Sequence, residues 1–386
     1  MRAGQMTSRE RVLAALRCEP VDYAPCTPTF CDMQVQQRLD LPYQFPWGPS
    51  QAERLQYCVS QLGVDPVVEV SLAGAQPAPD VSSKVWIEGN IIHKVYATAA
   101  GDVEAAIRYD ENWPHGFDIP LYSDFNPAYA TKFWIETEQD LECFRHLLQP
   151  VDDLQRLEAT RFYFNEARRL ADRWNLATRA SCGLGLTGAL PLFGPTQLCM
   201  MTVDNPALVD EYLEIEHQVN LRDLEIAAEL GADIITRNGF YETGDFYSPV
   251  MLHDFLYDRL QAEIGLAHQG GIAITYTVHT GIMPMLEYLR ALDFDCLNSV
   301  AVGFPGVDLE AIRDSQQCTK SFWTGPNDTH HTQAKDPEIL REVVREVFGV
   351  FGTTGLLLTP CNCMHSMHPW ENFLAMVDEW QKLRAG

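Results

Sequence analysis

Two cysteines and two histidines fall within eight residues in the run Cys361-Asn362-Cys363-Met364-His365-Ser366-Met367-His368. Thiolate sulfur and imidazole nitrogen are the donor set of zinc, which takes three or four of them. A Cys-x-Cys pair in a loop chelates one ion if its side chains turn the same way. His279, just after the apolar run 272–278, can complete such a site and leave one position open for substrate, as catalytic zinc requires. His365 and Glu242 are further candidate ligands. The competing reading has small apolar thiols packing the loop while the histidines cap the last helix or line a dry pocket. Glu242 and Asp245 suit acid–base work or metal binding, or else cap the loop ahead of Ser248-Pro249. Asp32, Glu242 and His279 are the candidate proton donors. His330 and His331 lie in a polar loop and read as exposed.

Residues this far apart must be brought together by the elements beneath them. Thr7 and Glu10 fit a capping box opening a first helix. Helix and strand patterns then alternate, with eight candidate strands near residues 24, 66, 177, 233, 272, 296, 321 and 355. Ser248-Pro249 marks a helix start, with proline at its first position. Eight such units predict an α/β fold, a (β/α)8 barrel, whose chemistry lies at the carboxyl ends of its strands. An open doubly wound sheet is the alternative. Between about residues 71 and 133 strand-like runs sit between Gly, Pro and Asn turns, which predicts an inserted, mainly antiparallel lobe in one 386-residue barrel domain. The strand ends would deliver Phe30 and Asp32, Asn238 and Tyr241, His279, Asn327 and Asp328, and the 361–368 loop. Phe30, Asn238, Tyr241, Trp323, Asn327 and His368, with Phe246, Tyr247 and Trp370, are candidates for a substrate pocket, the aromatic ones also being natural barrel core.

Composition narrows the function. With 28 Lys+Arg against 53 Asp+Glu the formal charge is −25, the wrong sign for nucleic acid or an anionic membrane. No run of 18 apolar residues exists to span a bilayer. The opening MRAGQMTSRERVLAALR has no apolar signal segment, and the 11 cysteines follow no secreted spacing, so a reducing cytoplasm is expected. Gly183-Leu184-Gly185-Leu186-Thr187-Gly188 matches GxGxxG, but Pro191 and Pro195 speak against the helix a dinucleotide site needs.

Several segments resemble the uroporphyrinogen decarboxylase superfamily: TSRERVLAALRCEPVDYAP, NPALVDEYLE, AAELGADII, SPVMLHDF, VHTGIMPMLEYL and PWENFLAMVDEW, in that order across nearly the whole chain. The resemblance implies a (β/α)8 barrel. The decarboxylase itself carries an Arg-rich stretch after the first strand, where this chain reads CTPTFCDMQVQQRL. Its polycarboxylate substrate would also meet a charge of −25. The resemblance therefore points to the corrinoid-dependent methyltransferases, including methylcobamide:coenzyme M methyltransferases and O-demethylase components. In the coenzyme M enzymes a His-x-Cys motif and a later Cys hold zinc. His279 matches the histidine, Gly281 stands where the first Cys would be, and the later Cys falls beside Asn362. This implies zinc on His279, Cys361 and Cys363, and methyl transfer between a small methylated or methoxylated donor and a corrinoid (methylcobalamin) on a partner protein, by a monomer or homodimer. A metal-free lyase acting on a smaller acid is the alternative, and a binding protein that kept the barrel but lost the site is a third.

Overall fold

The computed structural model describes residues 5–31, 44–48, 50–316 and 319–384. Asp32, the proposed proton donor at the end of the first strand, lies outside them.

Thirteen strands organise the described residues: β1 (Phe30–Cys31), β2 (Val68–Glu69), β3 (Ser82–Glu88), β4 (Ile91–Thr98), β5 (Gly101–Arg108), β6 (Ala130–Lys132), β7 (Thr178–Cys182), β8 (Ile234–Asn238), β9 (Ala273–Thr277), β10 (Cys296–Ala301), β11 (Ser321–Gly325), β12 (Leu356–Leu358) and β13 (Met364–His365). Seven of them form one parallel sheet in the order β12-β11-β10-β9-β8-β7-β2. Backbone bonds from residues 25–27 close it. Leu358 N donates to Pro25 O at 2.8 Å and Thr27 N to Leu358 O at 2.8 Å, while Asp65 N donates to Cys26 O at 2.7 Å. The segment near residue 24 is therefore the eighth wall between β12 and β2, and the expected barrel is present.

Its floor explains the first helix. Val12, Ala15 and Leu16 of the helix Ser8–Leu16 pack into Val67, Ala177, Ile234, Ala273, Cys296, Trp323 and Leu357, nearly one side chain per strand. The Thr7–Glu10 capping box opens this helix, with Thr7 Oγ1 accepting from Glu10 N and the Glu10 carboxylate accepting from Thr7 N. Ser248 likewise caps the helix Pro249–Gln269, accepting from Met251 N at 3.2 Å. The strands β3-β4-β5-β6 form a separate antiparallel sheet within the 71–133 segment.

The glycine-rich run behaves differently from expectation. Residues after Gly185 do form a helix, Gly185–Phe193, with Pro191 inside it, followed by Pro195–Asp204. All nine residues of the first helix are buried. Burial on every side outweighs the one hydrogen bond that proline removes. No phosphate cradle results. Leu186 N donates to Glu242 Oε1 at 2.9 Å, and Leu184 N donates to Glu216, so carboxylates already fill this helix start.

No described helix is long and apolar enough to cross a membrane.

Candidate metal and substrate site

The seam between the first and last barrel strands continues upward past the sheet. There β1 pairs with β13 in parallel, Phe30 opposite Met364 and Cys31 opposite His365. This pairing carries Cys31 to the 361–368 loop. Cys31 and Cys363 have Cα atoms 6.1 Å apart and their sulfurs are joined as a disulfide. One ligand atom each of Cys31, Cys363 and His365 lies within 4.8 Å of the others, making this the one group of three metal-type donors among the described residues. Cys363 Sγ lies 3.9 Å from His365 Nδ1 and 3.6 Å from its Nε2. A tetrahedral zinc with Zn–S of about 2.3 Å and Zn–N of about 2.0–2.1 Å sets sulfur and nitrogen about 3.6 Å apart. In reduced form the donor set fits zinc.

The expected set His279, Cys361 and Cys363 is regrouped by this geometry. Cys361 turns away from Cys363, its Sγ donating to Val300 O at 3.1 Å and standing 3.9 Å from His279 Nε2. Residues i and i+2 of an extended segment share a side, but these two cysteines find different partners: Cys361 the β10 wall, Cys363 the β1 extension. Burial pushes the Cys361 thiol well up. His279, half-buried at the end of β9, is shifted down by burial, with Asp328 partly offsetting. It is therefore neutral at pH 7.

Asp328, at the end of β11, ties the two halves together. Its Oδ2 lies 3.5 Å from His365 Nε2. Burial pushes its carboxyl up, but hydrogen bonding and charge from His365 and the charge of His279 outweigh that and hold it below the usual range. Asn327 beside it is wholly buried. Its backbone N donates to His331 Nδ1 at 2.9 Å, and its Oδ1 accepts from Thr329 N at 2.9 Å and His330 N at 3.1 Å, so it builds the turn that holds Asp328. His330 is exposed and His331 is half-buried in this turn. His368, 2% exposed, stands edge-on to His365 with ring centroids 4.9 Å apart. Burial and the charge of His365 lower it to about 4.

Glu242 is elsewhere. It is 0% exposed, accepts from Tyr276 Oη and Leu186 N, and pairs with Arg237 Nη2 at 3.4 Å. Arg237 also meets Glu263 Oε2 at 3.1 Å, and Glu263 meets His217 Nδ1 at 2.9 Å. This is a buried charge network behind the wall formed by β8 and β9, and it does not bring Glu242 to the cysteines. Asp245 accepts from Thr280 Oγ1 at 2.6 Å. Gly281, in the place of the family's first Cys, has φ +58, and a Cβ there would stand 2.7 Å from Asp245 N.

The aromatic candidates divide. Trp323 is 0% exposed in the barrel floor, with Nε1 donating to Thr27 O at 3.3 Å, so it is core. Phe30 and Trp370 belong to an aromatic cluster with Phe45, Trp47 and Phe373. Tyr241 stacks edge-on against Phe246 at 5.8 Å, and Tyr247 is buried. Asn238 lines a cavity of about 290 Å³ at the ends of β7 and β8, with Tyr122, Ser181, Glu216, Asn220 and Asp223. Sequence reasoning missed Cys31 as a candidate ligand. Its only signal was its place beside Phe30, at a strand end opposite the Cys-x-Cys loop.

No protein-family model matches the chain, and no curated protein matches it in sequence. Solved structures do match. A methyltransferase from Methanosarcina mazei aligns over 98% of this chain and 99% of its own, with TM-score 0.61 at 14% identity. A B12-independent methionine synthase from Shewanella sp. W3-18-1 covers 93% of this chain and 97% of its own, with TM-score 0.40 at 13% identity. A 3-keto-D-glucoside 4-epimerase from E. coli covers 64% of this chain and 94% of its own, with TM-score 0.37 at 14% identity. The chain thus has a (β/α)8 fold that it shares, end to end, with the Methanosarcina mazei methyltransferase, and this is the fold that the sequence resemblance implies.

Proposed function

We propose that the protein is a corrinoid-linked methyltransferase, moving a methyl group between a small methylated or methoxylated compound, or a thiol, and a corrinoid carried by a partner protein in the cytoplasm. The observation that carries this reading is the convergence of Cys31, Cys363 and His365 at the carboxyl ends of the barrel strands. The full-length likeness to a methyltransferase supports it.

Cys31, Cys363 and His365 would hold zinc, with Cys31 and His365 in the roles first expected of Cys361 and His279. Bound there, zinc supplies a Lewis acid that polarises a leaving oxygen or lowers the pKa of a thiol. The residues around it orient and neutralise. Bound through Nδ1, which lies 3.9 Å from Cys363 Sγ, His365 would have its ring fixed by Asp328 at Nε2, as an outer carboxylate does for a metal-ligating histidine. His279 stays neutral beside Asp328 and can accept the proton that a substrate thiol releases, or return one to a leaving alkoxide.

The test is methyl transfer from methylcobalamin to a thiol such as 2-mercaptoethanesulfonate, followed by loss of the methylcobalamin absorbance. The methyl–cobalt bond breaks, a carbon–sulfur bond forms, and cob(I)alamin leaves with the electron pair. Transfer by the zinc-loaded, reduced protein, abolished in Cys363→Ser, is the expected result. Absence of transfer in either direction with methylated thiols, amines and aryl ethers would overturn the reading.

A further inference from the structure

We propose that the outer edge of β3 is a self-association surface, on which a second copy of this chain lays its own β3 antiparallel and joins the two inserted sheets into one. The sheet of the lobe runs β3-β4-β5-β6, so β3 is an edge strand, and among the described residues nothing pairs with its outer side.

The hairpin register decides which backbone groups point outward. β3 and β4 are joined by the two-residue turn Gly89-Asn90, with Gly89 at φ +62, and Glu88 lies opposite Ile91. Residues that flank a two-residue turn exchange both of their hydrogen bonds, and bonded pairs alternate from there along the ladder. Glu88, Trp86, Lys84 and Ser82 therefore bond to β4, opposite Ile91, His93, Val95 and Ala97. The N–H and C=O groups of Ser83, Val85 and Ile87 face away from the sheet. None of the usual devices blunts this edge: β3 is seven residues long, has no proline, and pairs with β4 without a bulge.

The side chains repeat the message. Val85 and Ile87 share the sheet face on which Ile92, Val103 and Ile107 are buried, yet they are 37% and 42% exposed. The apolar face of the sheet thus runs past its last covered strand. The opposite face carries Lys84, Trp86 and Glu88, with Trp86 stacked on His93 at 5.0 Å.

The sequence Ser82-Ser83-Lys84-Val85-Trp86-Ile87-Glu88 is complementary to itself when reversed. Outward-facing residues must meet outward-facing residues. With a two-fold axis at Trp86, Val85 bonds to Ile87 of the second copy on both sides of the axis, and the two apolar faces merge. Lys84 then stands opposite Glu88 of the second copy, twice, and the two Trp86 residues meet on the axis as a non-bonded pair. Moving the axis to Val85 keeps the backbone bonds but sets Lys84 against Trp86 and Ser82 against Glu88, so both ion pairs are lost. Opposite charges directly across a strand pair stabilise it and like charges do the reverse, which selects the Trp86-centred register.

Analytical ultracentrifugation of the full-length protein between about 1 and 200 µM is expected to show a monomer–dimer equilibrium with a Kd on the order of micromolar, the weak end for a small interface. Val85→Pro removes an outward N–H and none of the β3–β4 bonds, and should be monomeric throughout with an unchanged circular dichroism spectrum. Lys84→Glu and Glu88→Lys should each weaken self-association by at least about 10-fold, because like charges then face each other twice. An equimolar mixture of these two variants should recover wild-type association as a mixed dimer. Trp86→Cys should cross-link the dimer on oxidation and Val85→Cys should not, since directly opposed non-bonded residues have Cα atoms about 4.5 Å apart and diagonal ones lie beyond the reach of a disulfide, about 7 Å. A protein monomeric at every concentration would overturn the proposal, as would a dimer indifferent to Val85→Pro and to both charge reversals. Cross-linking through Val85→Cys but not Trp86→Cys would overturn the register and the self-complementarity with it. Amide exchange at Ser83, Val85 and Ile87 that slows with another protein but not with concentration would give the edge to that partner and overturn the proposal too.

Discussion

Cys31 and Cys363, 332 residues apart in sequence, meet across the barrel seam with Cα atoms 6.1 Å apart. The same two sulfurs can close as a disulfide or hold a metal, but not both at once. Reduced protein is expected to carry about one zinc per chain, as a near-filled site does. Oxidation with diamide, which takes up two hydrogen atoms as the disulfide closes, should release it, and the intact chain should weigh two hydrogen atoms less than the reduced, metal-free chain. Cys31→Ser and Cys363→Ser should each abolish zinc binding, while Cys361→Ser, whose thiol bonds the Val300 carbonyl, should retain it. Atomic absorption with mass spectrometry reads all of these, and zinc lost only in Cys361→Ser would contradict the grouping.

Glu242 contributes to stability rather than to the metal. Its loss leaves Arg237 short of one anion and strips the partners from Tyr276 Oη and Leu186 N. Breaking a buried pair by removing one partner costs about 3–5 kcal/mol. Glu242→Ala should therefore lower the urea midpoint strongly, while folded Glu242→Ala at low temperature binds zinc as the wild type does. A change in zinc affinity without loss of stability would refute this placement.

Two glycines should respond oppositely to alanine. Gly185 has φ +51, and a Cβ there would collide with the Glu242 carboxylate and the Arg237 guanidinium. Gly185→Ala should destabilise by about 2 kcal/mol or more, from backbone strain and displaced charges together. Gly265 lies within the helix Pro249–Gln269 with nothing within 4 Å of its virtual Cβ. Gly265→Ala should stabilise by about 0.5–1 kcal/mol. Chemical denaturation of the two variants side by side tests both.

Asp223, in the cavity wall, has its carboxyl raised to about 6 by burial, against the opposing bond from Gly74 N. The folded chain thus holds this proton to higher pH than the unfolded chain, where aspartate titrates near 3.9. Between about pH 4 and 6 the native state binds more protons, so this group's contribution to stability falls as pH rises through that window. Asp223→Asn keeps an acceptor for Gly74 N and should remove this slope, gaining relative stability at pH 7. Urea midpoints from pH 4.5 to 7.5 measure it, and parallel wild-type and variant curves would count against the shift.

Periodicity and turn chemistry in the sequence determine the barrel. Local signals such as the Thr7–Glu10 box, the Ser248-Pro249 start and the apolar strand runs act over a few residues, where the chain itself carries the information. They place His279, Asp328 and the 361–368 loop at strand ends, hence at one mouth. Which donors meet there is a different matter. Cys361 and Cys363 are separated by a single residue in sequence, yet register against β1 sends one to Cys31 and the other to the β10 wall. Glu242 reads as a loop carboxylate, yet tertiary packing seals it against Arg237. Pro191 reads as a helix breaker, yet a fully buried environment keeps its helix. Side-chain direction depends on pairing between segments hundreds of residues apart, and only the closed barrel decides it.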